Sequence, residues 1–390
     1  MFRRLKKIMP SAVKNLLRTV ITDLGYTAYV LNKKKYVRIS GIDPNRARDF
    51  CDAYSPKPAT MVLPRIKKEA ASLDLTVIVP VYKAEKYIES CIASILNQKT
   101  KYSFEVITVN DASPDNSGNI LSSLNDKRLR LISLEKNLGG AHARNIGITE
   151  ANGRYIMFVD SDDRLLPGAI EKLMDAAVSR GADIVQGQFA NFFDGGKRMF
   201  VSDRYKPCEI TDDLRALLRY PGFTCMKVYK RELWDNAGLL EGNVFDDTVI
   251  WFLVFPKCRR FVCISDLVYA YRFNESGLTW SNRSRPKALD AYWAIETLSQ
   301  QRESLGLPLS RDLYLITLIQ LSKFLWQRNQ NAEENVLENV FVLSCELLEK
   351  MRAELNMNTY SSGNKLIDAV EVALQKRDFG SWRRLSRLMQ

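Results

Sequence analysis

Three carboxylates follow a strongly apolar segment in the middle of the chain. This segment reads RYIMFVD and ends at Asp160, and Asp162 and Asp163 follow directly across Ser161. A strand that ends in Asp-x-Asp offers hard oxygen ligands to a divalent cation and leaves coordination positions open for phosphate and water. We therefore expect Asp160 and Asp162 to bind Mn²⁺ or Mg²⁺ together with a diphosphate. The alternative from these residues alone is an acidic turn in which one aspartate caps a loop.

Two upstream motifs carry further polar side chains. Asp111 lies in VNDASPDNS, where a carboxylate can accept the N–H of a pyrimidine base, although an Asx-turn or helix cap is the ordinary alternative. Arg144 lies in KNLGGAHARNIG, where it can pair with phosphate, and Gly139 and Gly140 permit close backbone approach. The glycines do not follow the GxGxxG or Walker spacing, which disfavours a Rossmann cofactor or a P-loop ATPase.

Composition narrows the possible chemistry. The chain has 390 residues, seven scattered cysteines, one histidine (His142) and a net charge of +12. The cysteines predict reduced cytosolic thiols rather than a zinc site or disulfides. A single histidine leaves acid–base work to carboxylates. The charge predicts an anionic partner, namely nucleic acid, an acidic membrane surface or a phosphorylated substrate, unless it is only a basic solvated surface. No apolar run of about 18 residues and no signal peptide are found, so no membrane span is expected.

From Leu73 the pattern predicts alternating strands and helices. The predicted strands are LDLTVIVPVY, FEVITVN, LRLISLE, RYIMFVD and ADIVQGQF, with amphipathic helices between them, the last of which has Pro167 in its first turn. This alternation predicts an open, mainly parallel α/β sheet. Ligands of such sheets bind outside the carboxyl ends of the strands, which is where Tyr82, Asp111 and the Asp160 cluster fall.

Both ends of the chain are basic. In residues 1–73, apolar side chains recur at helical spacing up to Leu24, TAYVLNKKKYVRIS predicts two short strands, and SPKPATMVLPRIKK predicts a linker. The N-terminal helix is either an interfacial membrane-docking helix or a helix packed on the neighbouring domain. Residues 286–390 predict amphipathic helices that end in a basic tail, SWRRLSRLMQ, and their apolar faces fit a homodimer interface as well as membrane docking.

Several motifs together resemble the catalytic domain of glycosyltransferase family 2. They are TVIVPVYKAEKYIESCIASILNQ, EVITVNDASPDNS, NLGGAHARNIGI and YIMFVDSDD, followed by CMKVYKREL, VFDDTVIW and YRFNESGLTW. The resemblance covers roughly residues 74–280. It implies a GT-A fold, inversion at the anomeric carbon and a nucleotide-sugar donor.

The resemblance also implies roles for individual residues. The donor-binding set is Pro80, Val81 and Tyr82 as the wall of the base site, Asp111 on the base (most often uracil), Arg144 near the nucleotide, and Asp160, Ser161 and Asp162 at the metal and diphosphate. The family's Glu-Asp motif falls on Asp246 and Asp247, which makes Asp247 the catalytic base. Lys227 and Arg272 stand where basic residues can meet the diphosphate or the acceptor.

This sequence departs from the family pattern at three positions. Asn110 replaces the commoner first aspartate, Asp246 replaces glutamate, and His142 stands where a small residue is usual. The first two changes are mild, whereas the third alters the donor pocket and leaves the sugar open. We expect His142 to be a packed or wall residue rather than a base.

The sequence therefore predicts a metal-dependent inverting glycosyltransferase. It would move a hexosyl or N-acetylhexosaminyl group from a UDP-sugar to a saccharide or lipid-linked acceptor in polysaccharide, capsule, lipopolysaccharide or glycolipid synthesis. It would act in the cytoplasm or peripherally on the inner face of the membrane, without nucleic acid. The alternatives are a sugar nucleotidyltransferase, which lacks support because no glycine- and lysine-rich triphosphate loop is found, and a non-catalytic sugar-nucleotide scaffold. The predicted domains are 1–73, 74–285 and 286–390.

Overall fold

The computed structural model divides the chain into two compact units. One comprises residues 58–276, and the other joins Met1–Lys57 to Gly277–Gln390. The contacts thus divide the chain at other positions than the predicted boundaries, because the N-terminal helices pack with the C-terminal ones. The structure describes residues 11–32, 40–58, 71–193, 200–201, 205–273, 286–304 and 306–389.

Four parallel strands form the first half of the sheet in residues 58–276. Their spatial order is β3-β2-β1-β4, and all three neighbouring pairs are parallel. The strands are β1 (Leu73–Val81), β2 (Phe104–Asn110), β3 (Leu129–Ser133) and β4 (Gly153–Phe158). The helices that connect them are α3 (Ile88–Leu96), α4 (Ser117–Ser123) and α5 (Gly140–Glu150). The predicted alternation is confirmed in this half.

Helices cover both faces of these strands. Val77 and Val79 point to one face, where they pack in the main core with Ile92 of α3. On the other face a Cβ at Gly147 of α5 would lie only 2.4 Å from Ile78 Cγ2, so the glycine permits the helix to approach the strand. Each fully buried aliphatic side chain contributes about 1.5–3 kcal/mol. This packing makes the strand ends rigid supports for the polar residues that follow them.

The second half of the sheet is mixed. Strands β6 (Ile184–Phe192) and β10 (Arg260–Arg272) are parallel, and the short β9 (Lys227–Lys230) runs antiparallel between β4 and β6. The remaining strands, all antiparallel, are β5 (Arg164–Leu165), β7 (Phe200–Val201) and β8 (Cys208–Thr211). Further helices are α6 (Ala169–Ser179) and α7 (Leu214–Leu217). Pro167 lies outside α6, because the left-handed Gly168 precedes that helix.

The other unit is helical. Its helices are α1 (Ser11–Leu31), α2 (Pro44–Tyr54), α8 (Asp290–Gln301), α9 (Arg311–Ile319), α10 (Leu325–Asn329), α11 (Glu334–Glu354), α12 (Lys365–Gln375) and α13 (Phe379–Leu388). The strand predicted at TAYVL is wrong, because α1 continues to Leu31 and buries Tyr29, whose hydroxyl bonds Ser381 Oγ at 3.0 Å. Most of the second predicted strand, the linker after residue 58 and residues 1–10 lie outside the described residues.

Packing accounts for the apolar side of the basic tail. Trp382 and Leu385 of α13 are fully buried, and Thr22 Oγ1 of α1 donates to the backbone oxygen of Leu388 at 3.5 Å. In the same unit, the buried carboxylate of Glu296 accepts hydrogen bonds from Arg48 and Lys57. The part of the chain that the structure describes contains no helix both long and apolar enough to cross a membrane.

Candidate active site

The loop Asp160–Asp163 follows β4, and contacts with Tyr269 and Arg272 fix its position. Asp163 is buried, its Oδ2 accepts the Tyr269 hydroxyl at 2.7 Å, and its Oδ1 accepts the backbone N–H of Arg272 at 2.6 Å. The same Tyr269 hydroxyl accepts the backbone N–H of Asp160 at 3.1 Å. Burial raises the pKa of Asp163 well above its ordinary value, and the charges of Asp160 and Asp162 add to the rise. Asp163 therefore anchors the loop.

Arg272 holds the same loop from β10. Its Nε donates to the backbone oxygen of Asp162 at 2.7 Å. Its guanidinium lies over the rings of Tyr87 and Phe192, with the Cζ atom 4.1 and 4.5 Å from the two centroids. Contacts with two aromatic rings fix the orientation of the cation. The contact of Arg272 with a diphosphate or acceptor stays a prediction, whereas its contact with the Asp-x-Asp backbone is seen directly.

Arg144 joins the two acidic motifs. Its Nη2 donates to Asp160 Oδ1 at 2.6 Å, and its Nη1 donates to Asp246 Oδ2 at 3.2 Å. Burial raises the pKa of Asp246 to about 6, against the lowering effect of the Arg144 charge. The predicted metal and base motifs, 86 residues apart in the chain (246 minus 160), thus meet at one guanidinium. The sequence placed Arg144 near the nucleotide and did not foresee this bridge.

Asp247 lies beside Asp246, ahead of the buried π-helical turn Ile250–Val254. Gly222 packs against this region, because a Cβ there would lie 2.2 Å from Trp251 Nε1 and 3.4 Å from the backbone oxygen of Asp247. A buried apolar stretch therefore follows the acidic pair. It supports the backbone on which Asp247 stands.

Lys227 is fully buried at the start of β9. Its Nζ donates to the backbone oxygen of Phe223 at 2.7 Å, and the Tyr229 hydroxyl donates to the same oxygen at 3.1 Å. Burial lowers the pKa of Lys227 to about 8, and Asp247 is among the groups that oppose this shift. The contact predicted for Lys227 with a diphosphate or acceptor stays a prediction, since its ammonium is held here by a carbonyl beneath the surface.

The site predicted for the nucleotide base lies at the ends of β1 and β2. Pro80 and Val81 are buried and Tyr82 is 43% exposed. The buried Asp111 accepts the backbone N–H groups of Leu138 and Gly139, each at 2.8 Å, one on each carboxylate oxygen. Each oxygen keeps a second lone pair, so base recognition stays compatible with this arrangement and remains a prediction.

His142 ties α5 to the segment before the acidic pair. Its Nδ1 lies 2.9 Å from Glu241 Oε2, and Asn145 Nδ2 donates to Glu241 Oε1 at 2.8 Å. Asn145 Oδ1 also accepts the backbone N–H of Leu239. His142 is thus paired with a carboxylate, and its place in the wall of a donor pocket stays a prediction.

The residues present fit a divalent cation that needs substrate oxygens. Asp160 and Asp162 would supply hard carboxylate ligands, with Asp160 also bound by Arg144, whereas both carboxylate oxygens of Asp163 accept hydrogen bonds from Tyr269 and Arg272. Among the described residues, no group of three or more histidine, cysteine, aspartate or glutamate side chains is arranged to hold a metal by itself. Such a partial ligand set suits Mg²⁺ or Mn²⁺ bound jointly with a diphosphate.

Comparisons with known proteins define the class. The family model described as glycosyl transferase family 2 matches residues 76–238. Glycosyltransferase GlyG of Streptococcus pneumoniae serotype 4 is 32% identical over 212 residues, which cover 51% of this chain and 70% of that protein. The chain therefore belongs to glycosyltransferase family 2, as the motifs predicted.

A solved structure supports the predicted fold. Staphylococcus aureus TarS 1–349, crystallised in complex with UDP-GlcNAc, superposes with a TM-score of 0.64 at 19% identity and covers 81% of this chain and 91% of that one. This likeness confirms the GT-A-type fold class and the presence of a helical C-terminal region.

Other relatives match over a smaller part of their length. The uncharacterized glycosyltransferase EpsJ of Bacillus subtilis is 33% identical over 53% of this chain and 62% of its own length. The teichoic acid poly(glycerol phosphate) polymerase of Staphylococcus epidermidis is 46% identical over 25% of this chain and only 14% of its own length. The chain thus spans less than two thirds of these two proteins.

Sequence reasoning missed several residues that shape the site. Tyr269 lies in an apolar strand with no polar pattern around it, and only its hydroxyl contact with Asp163 reveals it. Glu241 and Phe223 occupy segments in which no strand or helix was predicted. The motif residues 274–280, at the end of the resemblance, lie outside the described residues.

Proposed function

We propose that this protein is an inverting glycosyltransferase that moves a hexosyl or N-acetylhexosaminyl group from a UDP-sugar to an acceptor hydroxyl. The observation that carries the proposal is the Arg144 bridge, which brings the Asp160 loop and the Asp246–Asp247 pair into one site. A single displacement needs a leaving-group site and a base on opposite sides of one anomeric carbon. The TarS complex with UDP-GlcNAc supports the choice of donor class.

We assign the base to Asp247. Its carboxylate takes the proton of the acceptor hydroxyl as that oxygen bonds the anomeric carbon, and the bond from this carbon to the UDP oxygen breaks. Asp246 already accepts a hydrogen bond from Arg144 and so serves to hold the pair in place. This division of roles follows the family resemblance and fits the contacts of the two aspartates.

Asp160 and Asp162 would hold Mn²⁺ or Mg²⁺ together with the donor diphosphate. When bound, the metal stabilises negative charge on the departing diphosphate as a Lewis acid. Arg144 contributes a fixed positive charge beside the same carboxylate, and Tyr269, Asp163 and Arg272 keep the loop in one conformation. Such preorganised charge stabilises a transition state without reorganisation at the moment of reaction.

We place the reaction in the synthesis of a cell-surface polymer, with a saccharide or lipid-linked acceptor. Relatives named for teichoic acid synthesis support this pathway class. Docking on the inner face of an anionic membrane would bring the enzyme to such an acceptor, and Leu24, Val30 and Leu31 of α1 are exposed for it. Each basic residue near an anionic leaflet adds about 1 kcal/mol. Co-sedimentation with phosphatidylserine vesicles at low salt tests docking; equal recovery with neutral vesicles would contradict it.

A panel of UDP-sugars, each incubated with and without Mn²⁺, tests the proposed function. Release of UDP from one or a few donors is expected, and NMR of the product should show inversion at the anomeric carbon. Tight UDP binding without consumption of any donor, with water or with added saccharides, would instead identify a scaffold. Release of diphosphate from a nucleoside triphosphate and a sugar phosphate would identify a nucleotidyltransferase.

A further inference from the structure

One exposed aromatic side chain follows Gly222, the glycine that packs against the backbone of Asp247. Phe223, which precedes β9, is 44% exposed. Its backbone, by contrast, is held by two fully buried groups, because the Lys227 ammonium and the Tyr229 hydroxyl both donate to its carbonyl oxygen. A charged donor and a neutral one on the same carbonyl fix the position of Phe223 while leaving its ring in solvent.

The residues around Phe223 are fixed as well. Gly222 leaves no room for a side chain against Trp251. Met226 is buried although its backbone has a positive φ of 58°, which costs of order 1 kcal/mol or more for a residue with a Cβ. Burial of the Lys227 ammonium is a further cost. A segment that keeps a strained residue and a buried charge in order to hold one carbonyl is positioned for a purpose.

The location of the Phe223 backbone indicates which part of the site it borders. The neighbouring Gly222 lies against the backbone of Asp247, the proposed base, which must contact the acceptor hydroxyl. The predicted nucleotide site lies at Tyr82 and Asp111, at the ends of other strands. The apolar C–H face of a pyranose ring stacks on an aromatic ring, and aromatic walls are common in ligand sites. An acyclic polyol phosphate presents no such face.

We propose that Phe223 is the stacking platform for a pyranose acceptor, and that Lys227 and Tyr229 are positioning residues that hold it next to Asp247. This inference rests on the proposed function and names the acceptor class for it. Phe223 would thus select a sugar ring over a glycerol phosphate unit.

The test compares variants whose changes spare the carbonyl contact. Phe223→Ala and Phe223→Leu should each raise the KM for methyl β-D-glucopyranoside or methyl β-D-galactopyranoside about tenfold, the loss of roughly one aromatic stacking contact. Phe223→Trp should stay within about twofold of the unmodified protein, since it keeps an aromatic face. The matched control is Val178→Ala, an exposed apolar residue at the far end of α6, which should change neither KM nor kcat.

Two further measurements keep the outcomes distinct. UDP affinity by calorimetry should be equal in all Phe223 variants, which shows that they are folded. Saturation-transfer NMR of the same pyranosides in the presence of UDP needs no turnover. Weaker pyranoside binding by Phe223→Ala in a protein that consumes no UDP-sugar would support the platform and overturn the proposed function.

The positioning role is tested by substituting Lys227 and Tyr229, which donate hydrogen bonds to the Phe223 carbonyl. Lys227→Met should raise the pyranoside KM while leaving kcat at saturation near that of the unmodified protein, and Tyr229→Phe should act in the same direction more weakly. Unchanged pyranoside KM and NMR signals in Phe223→Ala would overturn the proposal. So would transfer to sn-glycerol 3-phosphate in preference to every pyranoside, with no effect of Phe223→Ala.

Discussion

The two halves of the sheet differ in where their polar side chains lie and in whether those side chains are hydrogen-bonded. In β1–β4 the strands are parallel and mostly apolar, the side chains predicted to bind ligand follow the strand ends, and the buried polar pair within the strands, Thr76 and Glu105, is hydrogen-bonded at 2.8 Å. In β9, β6 and β10 polar side chains lie within the strands themselves: Lys227 and Gln186 are neighbours across two strands and are fully buried. Within the described structure, the side-chain amide of Gln186 has no hydrogen-bond partner.

This difference shows which half of the sheet contains buried groups that lower the stability of the fold. In the parallel half the buried carboxylate of Glu105 is hydrogen-bonded by Thr76 and Arg130, and the groups predicted to bind the nucleotide follow the strand ends. The other half buries a charge and an unpaired amide, each of which costs free energy. We infer that the second half is shaped for a particular acceptor, whereas the first serves a donor of common chemistry. The following predictions test this contrast.

The largest effect is expected at the base. Asp247→Asn should lower kcat about a thousandfold, because general-base catalysis contributes on the order of 10²–10⁴. UDP affinity should remain within about twofold, because asparagine keeps the shape of the aspartate side chain and the predicted UDP site at the ends of β1–β4 is unchanged. Single-turnover assays with the preferred UDP-sugar measure the first quantity and calorimetry the second. Near-normal transfer by this variant would shift the role of base to Asp246, for which Asp246→Asn is the paired control.

The next largest effect is expected from substitution of Arg144, which binds both acidic motifs. Arg144→Met removes a cation that binds both Asp160 and Asp246, so it should lower kcat about a hundredfold and also weaken UDP binding. Arg144→Lys should recover only part of the loss, because an ammonium cannot form the two-pronged contact. A loss confined to UDP affinity, with kcat at saturation unchanged, would show that the bridge does not reach the base.

A smaller effect is expected in UDP affinity, through the predicted metal site that follows β4. UDP should bind about tenfold more tightly with Mn²⁺ than without it, as expected for a carboxylate-held cation that shares its shell with phosphate. Asp162→Ala should abolish this difference and leave the pyranoside NMR signals intact. Calorimetry with UDP in both conditions gives the answer, and Asp74→Ala, an aspartate at the opposite end of β1, is the control. Equal metal enhancement in Asp162→Ala would place the cation elsewhere.

The last prediction concerns protein stability and the buried charge of Lys227 in the second half of the sheet. Because the pKa of Lys227 is near 8 in the folded protein and near 10.5 when unfolded, the unfolded state binds more protons between these values. The free energy of unfolding should therefore gain a contribution as pH rises from 8 to about 10. Urea titrations at several pH values measure it, and Lys227→Met should lack that part of the rise. Parallel pH profiles for the two proteins would show that the ammonium is solvated.

Strands β1–β4 and β6 could be predicted from the sequence, whereas β10 and the short antiparallel strands could not. Continuous apolar runs reveal strands buried on both faces, and the residues after them fall at one edge by topology; Tyr82, Asp111 and Asp160 were found in this way. Strand β9 has only four residues, too few for a periodic signal, and it carries a lysine at its start. The Arg144 bridge and the Lys227 contact depend on tertiary packing, which local spacing does not encode.

The same reason explains the error at the N-terminal region. TAYVL favours a strand by composition, because it contains tyrosine, threonine and valine, yet it completes α1. The contact of Tyr29 with Ser381, 352 residues away, is made only when the segment is helical. Tertiary contacts overrule local preference here.

The pairing of His142 with Glu241 has a practical consequence. Since the chain contains one histidine, an untagged sample has a single imidazole whose two carbon-bound protons resonate apart from the bulk of the proton spectrum. That ring touches the segment that leads into Asp246 and Asp247. A ligand that displaces this segment would shift one isolated pair of resonances, so a simple titration in an NMR tube would report on the proposed catalytic loop without isotopes, dyes or substitutions.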